Sequence, residues 1–317
     1  MSRLPRLANL TPEDAGWGFF LCTHTEVRAG KSGADFLILT LQDASGRATA
    51  KMFNDVERFR AEVEPGDFVR VEGRGSLYNG EVQLVLSTLR RVNPDQDRLQ
   101  GFREDDCILS APRAIDDMWV ELRNAIHEMK NAHLRVLVGR IVADHEAQLR
   151  VWPAAQRIHH AYRGGFLEHM TKMAEVGRLV ARAYAANEDL VLAGIVLHDI
   201  GKLQELSYDS GVAAYTRDGN LVGHIALGLM LVRETANSIS GFPLELRAHV
   251  EHMVASHHGS REHGSPVEPK TVEAFIVATV DELDATLNQV RQAVAEDAGE
   301  LEFTAWHKRL GRVLYKG

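Results

Sequence analysis

Between residues 35 and 53 the side chains alternate in character. Phe36, Ile38 and Thr40 interleave with Leu37, Leu39 and Leu41, and DASGR then turns the chain into ATAKMFN. A period of two broken by a glycine-containing turn predicts a β-hairpin. A short amphipathic helix over VERFRAEV follows. EPGD then starts the run FVRVEGRGSLY, and Asn79-Gly80 turns it back into EVQLVLSTLRRV, a second hairpin signal. With a first strand beginning near residue 17, residues 17–92 read as five strands with one helix between the third and fourth. That order matches an OB-fold, a small closed barrel of which one face commonly binds single strands. An SH3-like or other small β-module is the alternative for this pattern.

NPDQDRLQGFREDDC (93–107) is polar, charged and aperiodic, and reads as linker. From Pro112 the pattern changes. Seven segments, from MWVELRNAIHEM to TVEAFIVATVDELDATLNQV, repeat apolar residues at spacings of three and four, the signature of amphipathic helices. Gly and Pro punctuate the joints at 162–165, 241–243 and 264–266. The predicted fold class is therefore multidomain: a small all-β OB-fold barrel (1–95), a linker (96–111) and an all-α helical domain (112–317).

Composition narrows the reading. The 317 residues are 45% hydrophobic and 25% charged, enough for two globular cores. No run approaches the ~20 apolar residues of a membrane span, and MSRLPRLANLTPED has no apolar stretch behind its arginines. A cytoplasmic protein without membrane contact is expected. The net charge of −8 has the wrong sign for bulk attraction to nucleic acid, but residues 16–94 hold 10 Lys and Arg against 10 Asp and Glu. A nucleic-acid role would need a local groove. The two cysteines, Cys22 and Cys107, form no CxxC pair, which leaves His and carboxylate as the available metal ligands. Many of the 15 histidines cluster between residues 159 and 263.

The stretch AGIVLHDIGKL puts His198 and Asp199 directly after an apolar helical run, where an uncompensated charge costs several kcal/mol. Successive helical segments add His169 in GGFLEHM, His224 in GHIALG, His257-His258 in SHHGS and Asp281 in ATVDELDA. A single hydrogen-bonded histidine in a helix is ordinary. Seven such groups would leave several buried polar atoms without partners unless they converge on cations. His249 and His252 are set aside, because His252 lies about 140° from His257 on the helix wheel.

The order His169, His198-Asp199, Asp281 resembles the HD superfamily of metal-dependent phosphohydrolases, and His224 with His257-His258 resembles its two-metal members. Together with the IHHAYRGGFLEH lead-in, HDIGK, GHI, SHHG, DELDA and the N-terminal barrel, the arrangement is similar to the YhaM-type 3′-to-5′ exoribonucleases over residues 16–290. The resemblance implies that Asp199 bridges two divalent ions. His169, His198 and Asp281 would complete one shell, and His224, His257 and His258 the other. Nitrogen and oxygen ligands suit Mn²⁺, Fe²⁺, Co²⁺ or Zn²⁺, with Mn²⁺ the expected ion. Asp199 and Lys202 are the candidate catalytic residues. Lys202, placed behind Gly201, is expected to hold a phosphate oxygen, with Arg163 as a second phosphate contact. Glu168 is a candidate for a water-mediated metal contact, and His159-His160 for orienting ligands. In the barrel, Phe36, Phe53 and Tyr78 are candidates for base stacking, with Lys31, Lys51 and Arg74 for phosphates; alternation suggests that at least one of the aromatics faces inward. The expected substrate is single-stranded RNA, with single-stranded DNA as a second candidate. Oligomeric assembly is left open. The rival functions are a phosphodiesterase for cyclic dinucleotides or small nucleotides, and an inactive nucleic-acid-binding adaptor.

Overall fold

In a computed structural model of the chain, residues 2–30, 33–155, 160–209, 211–297, 299 and 301–317 are described. They form two units, one reaching to Ser110 and including Tyr208–Val212, the other comprising Ala111–Ser207 and Ala213–Gly317.

In the first unit, β1 (Ala15–Ala29), β2 (Asp35–Asp43), β3 (Gly46–Met52), β4 (Phe68–Tyr78) and β5 (Glu81–Arg91) close into a barrel in the order β1-β2-β3-β5-β4, with α1 (Val56–Glu62) between β3 and β4. This is the OB-fold order that the alternation predicted. Leu37, Leu39 and Leu41 point inward, packed with Val69, Val71 and Leu84. Asn79 and Gly80 both take positive φ, 53° and 84°, as a tight two-residue hairpin turn requires. Leu4, Leu7 and Leu10 extend the barrel core from the N-terminal segment.

The segment expected to be a linker does not behave as one. Residues 96–110 belong to the barrel unit. α2 (Pro94–Asp97) ends in Asp97, which is wholly buried and holds Arg90 through two 2.7 Å hydrogen bonds while accepting a third from the Asn93 N–H at 2.8 Å. Phe102 packs edge-on against Phe19 and Phe68, and Cys107 is buried beside them. Three anchors in a polar stretch pin it down. Hydropathy averages over them.

The second unit is helical: α3 (Ile115–His127), α4 (Ala132–Asp144), α5 (Glu146–Leu149), α6 (Gly165–Ala183), α7 (Glu188–Leu197), α8 (Lys202–Glu205), α9 (Arg217–Leu221), α10 (His224–Ser238), α11 (Leu244–Ser256) and α12 (Val272–Glu296). A short strand pair, β6 (Leu206–Asp209) and β7 (Val212–Tyr215), follows α8. Asn187 starts α7 by accepting from the Asp189 and Leu190 N–H groups, a capping role suited to asparagine. Every residue from Leu190 to Leu197 is buried. A helix apolar on all sides must lie at the centre of its neighbours, and α4, α6, α11 and α12 all pack on it. No helix among the described residues is long and apolar enough to cross a membrane.

The Asp97 anchor yields a prediction. Replacing Asp97 with Ala strands the Asn93 N–H and releases Arg90, which is exposed enough to rehydrate, so the barrel should lose about 1–3 kcal/mol. Arg90 holds the Asp97 carboxyl below the usual carboxylate range. The contribution should therefore be present above the unfolded pKa of about 3.9 and vanish as pH falls through the folded one. Denaturant midpoints at pH 7 and at acidic pH check both statements; a midpoint unchanged at pH 7 would contradict the anchoring role.

Candidate metal centre

The centre is built where helices begin and end. His198 caps α7 and His257 caps α11. The last carbonyls of a helix lack partners within it, and each histidine supplies one: Nδ1 of His198 lies 2.7 Å from the Ile195 carbonyl, and Nδ1 of His257 lies 2.8 Å from that of Val254. A carbonyl can only accept, so Nδ1 carries the proton in both rings. Nε2 is left with a lone pair. Both helices also turn their negative dipole ends toward the same region, which favours a cation there.

His224 begins α10, and its Nδ1 lies 2.9 Å from Glu205 Oε1. The same oxygen also accepts from the His224 N–H at 2.9 Å. His169, within α6, directs Nδ1 to Asp284 Oδ2 at 2.7 Å and Nε2 toward Asp281 Oδ1 at 3.3 Å. Carboxylates and carbonyls thus fix four rings through Nδ1 and aim Nε2 inward, the arrangement that orients metal-binding histidines. Gly201 permits the approach of α10. Its φ of −64° is ordinary, so it neither needs a left-handed conformation nor bends the helix through one. A Cβ there would lie 1.9 Å from the His224 carbonyl oxygen and 2.5 Å from the Gly228 nitrogen.

Asp199 stands between two groups of these side chains. Its Oδ2 is 3.2 Å from His198 Nε2, while its Oδ1 is 3.4 Å from both His224 Nε2 and His257 Nε2. His169, His198 and Asp281 bring donor atoms together on one side; Asp199, His224, His257 and His258 do so on the other. Among the described residues, Nε2 of His198, His224 and His257, Nδ1 of His258 and Oδ1 of Asp199 are buried and make no hydrogen bond. Donors held about 2.1 Å from one ion stand about 3.0–3.4 Å from each other. The 3.2–3.4 Å spacings fall in that range, whereas His198 Nε2 stands 3.9 Å from Asp281 Oδ1. These nitrogen and oxygen donors fit divalent metal ions.

Charge is arranged in the same sense. Burial raises the carboxyl pKa of Asp199, but Lys202 and His198 outweigh it and hold the group well below the usual carboxylate range. Asp281 is also held low, by His169 and His198 against its burial. Burial, reinforced by His257, depresses His258 to about 4, which leaves a neutral ring at pH 7. Lys202 Nζ donates to Asp199 Oδ2 at 2.6 Å and to the Ala154 carbonyl at 2.8 Å. An ammonium has three N–H donors, so one remains.

Three supporting residues escaped the sequence reading or were given other parts. Asp284 accepts from His160 Nε2 at 3.0 Å as well as from His169. Its place three residues after Asp281 on one helix face was the available signal. Glu168, expected near a metal through water, instead receives hydrogen bonds from Tyr162 and from His160 Nδ1 at 3.0 Å. His160 thus orients His169 through Asp284. His159 lies outside the described residues. Glu205 carried no signal beyond its position after HDIGK. Arg163 is half-buried just before α6.

On the barrel, none of the three aromatics faces the core. Phe36 is half-buried, Phe53 and Tyr78 are 54% and 55% exposed, and the expectation of an inward ring is corrected. They lie at strand ends, where the alternation still points outward. Phe36 and Phe53 stack at 5.5 Å, and Lys51 Nζ sits 3.9 Å over the Tyr78 ring. Register places Arg74, Val85, Lys51 and Ile38 in one outward row across β4, β5, β3 and β2. Lys31 lies outside the described residues.

Residues 166–286 match the HD domain family, and residues 23–92 match the OB-fold nucleic acid binding domain family. The 3′-5′ exoribonuclease YhaM of Bacillus subtilis is 33% identical over 83% of this chain and 82% of its own length. That of Listeria innocua is 34% identical over 86% and 85%. Among solved structures, the second OB-fold domain of replication protein A from Methanococcus maripaludis aligns with 29% of this chain and 96% of its own, at 18% identity and a TM-score of 0.25. At the identity and coverage of the exoribonucleases, the chain belongs to the YhaM family.

Proposed function

We propose that the protein is a metal-dependent 3′-to-5′ exoribonuclease, cytoplasmic, that removes 5′-mononucleotides from single-stranded RNA and accepts single-stranded DNA as a second substrate. The observation that carries this reading is the division of Asp199: Oδ2 faces His198 and Lys202, while Oδ1 faces His224 and His257. One carboxylate between two donor sets suits a pair of ions, with Mn²⁺ the expected metal. His169, His198 and Asp281 would hold one, His224, His257 and His258 the other, and Asp199 both. Divalent ions there supply Lewis-acid stabilisation of phosphoryl charge and a nucleophilic water at neutral pH.

The chain's own groups perform the remaining work. In the hydrolysis, a bond forms between water oxygen and the terminal phosphorus while the bond from phosphorus to the 3′ oxygen breaks. That oxygen ends protonated, as the new 3′ hydroxyl. Lys202 keeps Asp199 ionised and in place, and its remaining N–H is available to a phosphate oxygen whose charge rises during attack. Glu205, Asp284 and the Ile195 and Val254 carbonyls keep the imidazoles in the tautomer that binds a cation. The stacked Phe36 and Phe53, with Tyr78, Lys51 and Arg74, provide rings for bases and cations for phosphates on the barrel. Such a surface serves a polymer better than a cyclic dinucleotide, and the complete donor set argues against an inactive adaptor.

Three outcomes follow from these assignments. Asp199→Asn should slow shortening of a 5′-labelled single-stranded RNA by on the order of 10³ or more and reduce bound metal, seen by elemental analysis; near-parental turnover would exclude the bridging role. Asp284→Ala should weaken metal affinity about 10–100-fold, with activity returning as metal is raised. Unchanged affinity in a metal titration would remove Asp284 from the support of His169. Phe53→Ala and Tyr78→Ala should leave the melting temperature nearly unchanged, since both side chains are exposed. Each should cost about 1–3 kcal/mol in RNA affinity, read by fluorescence anisotropy; a large loss of stability instead would mark the ring as structural.

A further inference from the structure

Beyond the centre, α12 continues for another four turns toward a C-terminal hairpin. Bridges Phe303↔Tyr315 and His307↔Arg312 define that hairpin. Asp297 secures its base, accepting from the Ala305 N–H at 2.8 Å and from Lys316 Nζ at 2.9 Å. Between hairpin and helix lies a groove of about 470 Å³, lined by Gln289, Gln292 and Ala293 on one wall and Trp306, Lys308 and Arg309 on the other.

Three features of the groove are unusual for this chain. Trp306, which lines it, is 63% exposed; Tyr315, 61% exposed, and Phe303, whose ring meets Tyr315 at 5.4 Å, stand on the same hairpin but do not line the groove. Residues 301–317 contain four Lys and Arg against one Glu, in a protein of net charge −8. Lys316 is committed to Asp297, but Lys308, Arg309 and Arg312 are exposed and form no ion pair among the described residues. The third feature is alignment with the centre. At 100° and 1.5 Å per residue, Asn288 and Gln292 lie within about 20° of Asp281 on the wheel of α12, about 10 and 16 Å further along its axis. Of the groove's lining residues on α12, Gln292 shares that face, while Gln289 and Ala293 stand about 80° and 120° round from Asp281.

We propose that this groove binds the single-stranded nucleic acid itself, holding nucleotides on the 5′ side of the bond being cleaved. An exposed indole beside uncompensated cations is what a stacking base and a phosphate backbone need, and the groove is walled by α12, the helix that also carries Asp281. Charge favours a polyanion over an acidic second copy of this chain only if the rings stack on bases, so the test addresses both. The inference rests on the exoribonuclease reading and adds a contact surface outside the barrel.

The full-length protein, with chelator present to prevent hydrolysis, is titrated into a 5′-fluorescein-labelled single-stranded RNA of about 20 nucleotides at several salt concentrations, and a separate reaction with Mn²⁺ follows shortening of the same RNA. Trp306→Ala should weaken binding about ten-fold, and Trp306→Phe should recover most of the loss. Lys308→Glu combined with Arg309→Glu should lower the slope of log affinity against log salt by about 1.4, the value for two phosphate contacts on a single strand. All three side chains are exposed, and a melting curve confirms folding. If the parent binds and shortens RNA while both variants keep its affinity and slope, the groove is no nucleic-acid site. A parent oligomer that these variants dissociate in sedimentation, with RNA affinity unchanged, would overturn the proposal in favour of an interface between copies. A parent that neither binds nor shortens RNA overturns the exoribonuclease reading and this inference together.

Discussion

A carboxylate following eight consecutive buried apolar residues needs opposite charge close by, because an isolated ion in such surroundings costs several kcal/mol. Asp199 occupies that position at the end of α7. Lys202 answers part of its charge, and three imidazoles face its two oxygens at 3.2–3.4 Å. The helical unit is organised around that demand. α7 is apolar on every side so that it can carry His198 and Asp199 to the middle of α4, α6, α11 and α12, and Gly201 lacks a side chain so that α10 can deliver His224.

A second constraint follows, since an imidazole binds a cation only through a nitrogen that has no proton. Helix-end carbonyls hold Nδ1 of His198 and His257, while carboxylates hold Nδ1 of His169 and His224. The carbonyls would be orphaned in any case at the ends of α7 and α11. One set of contacts therefore completes two helices and orients two imidazoles. Asp284 extends the same logic outward through His160 to Glu168 and Tyr162.

Much of this was legible in the sequence, for identifiable reasons. The barrel was readable because alternation in DFLILTLQD and the Asn79-Gly80 turn are local signals, set by neighbours two to four residues apart. The seven candidate ligands were readable because polar residues beside apolar helical runs stand out against their context. Asp97, Phe102 and Cys107 were not readable as anchors, since their partners Arg90, Phe19 and Phe68 come from strands whose placement only the closed barrel fixes. Glu205 and Asp284 were missed for a related reason. Each works by holding a ring from a distant helix, and apart from Asp284's place three residues after Asp281 nothing in the local pattern separates such a carboxylate from a solvated one. The C-terminal rings and cations carried no periodicity at all, and acquired meaning only when the hairpin faced α12.

The account turns on Asp199 serving two cation positions at once. Anomalous diffraction from crystals of the Mn²⁺-loaded protein measures this directly. Two peaks about 3.5–4 Å apart are expected, one beside His169, His198 and Asp281, the other beside His224, His257 and His258, with one oxygen of Asp199 directed to each. A single peak, or two peaks of which only one touches Asp199, would contradict it.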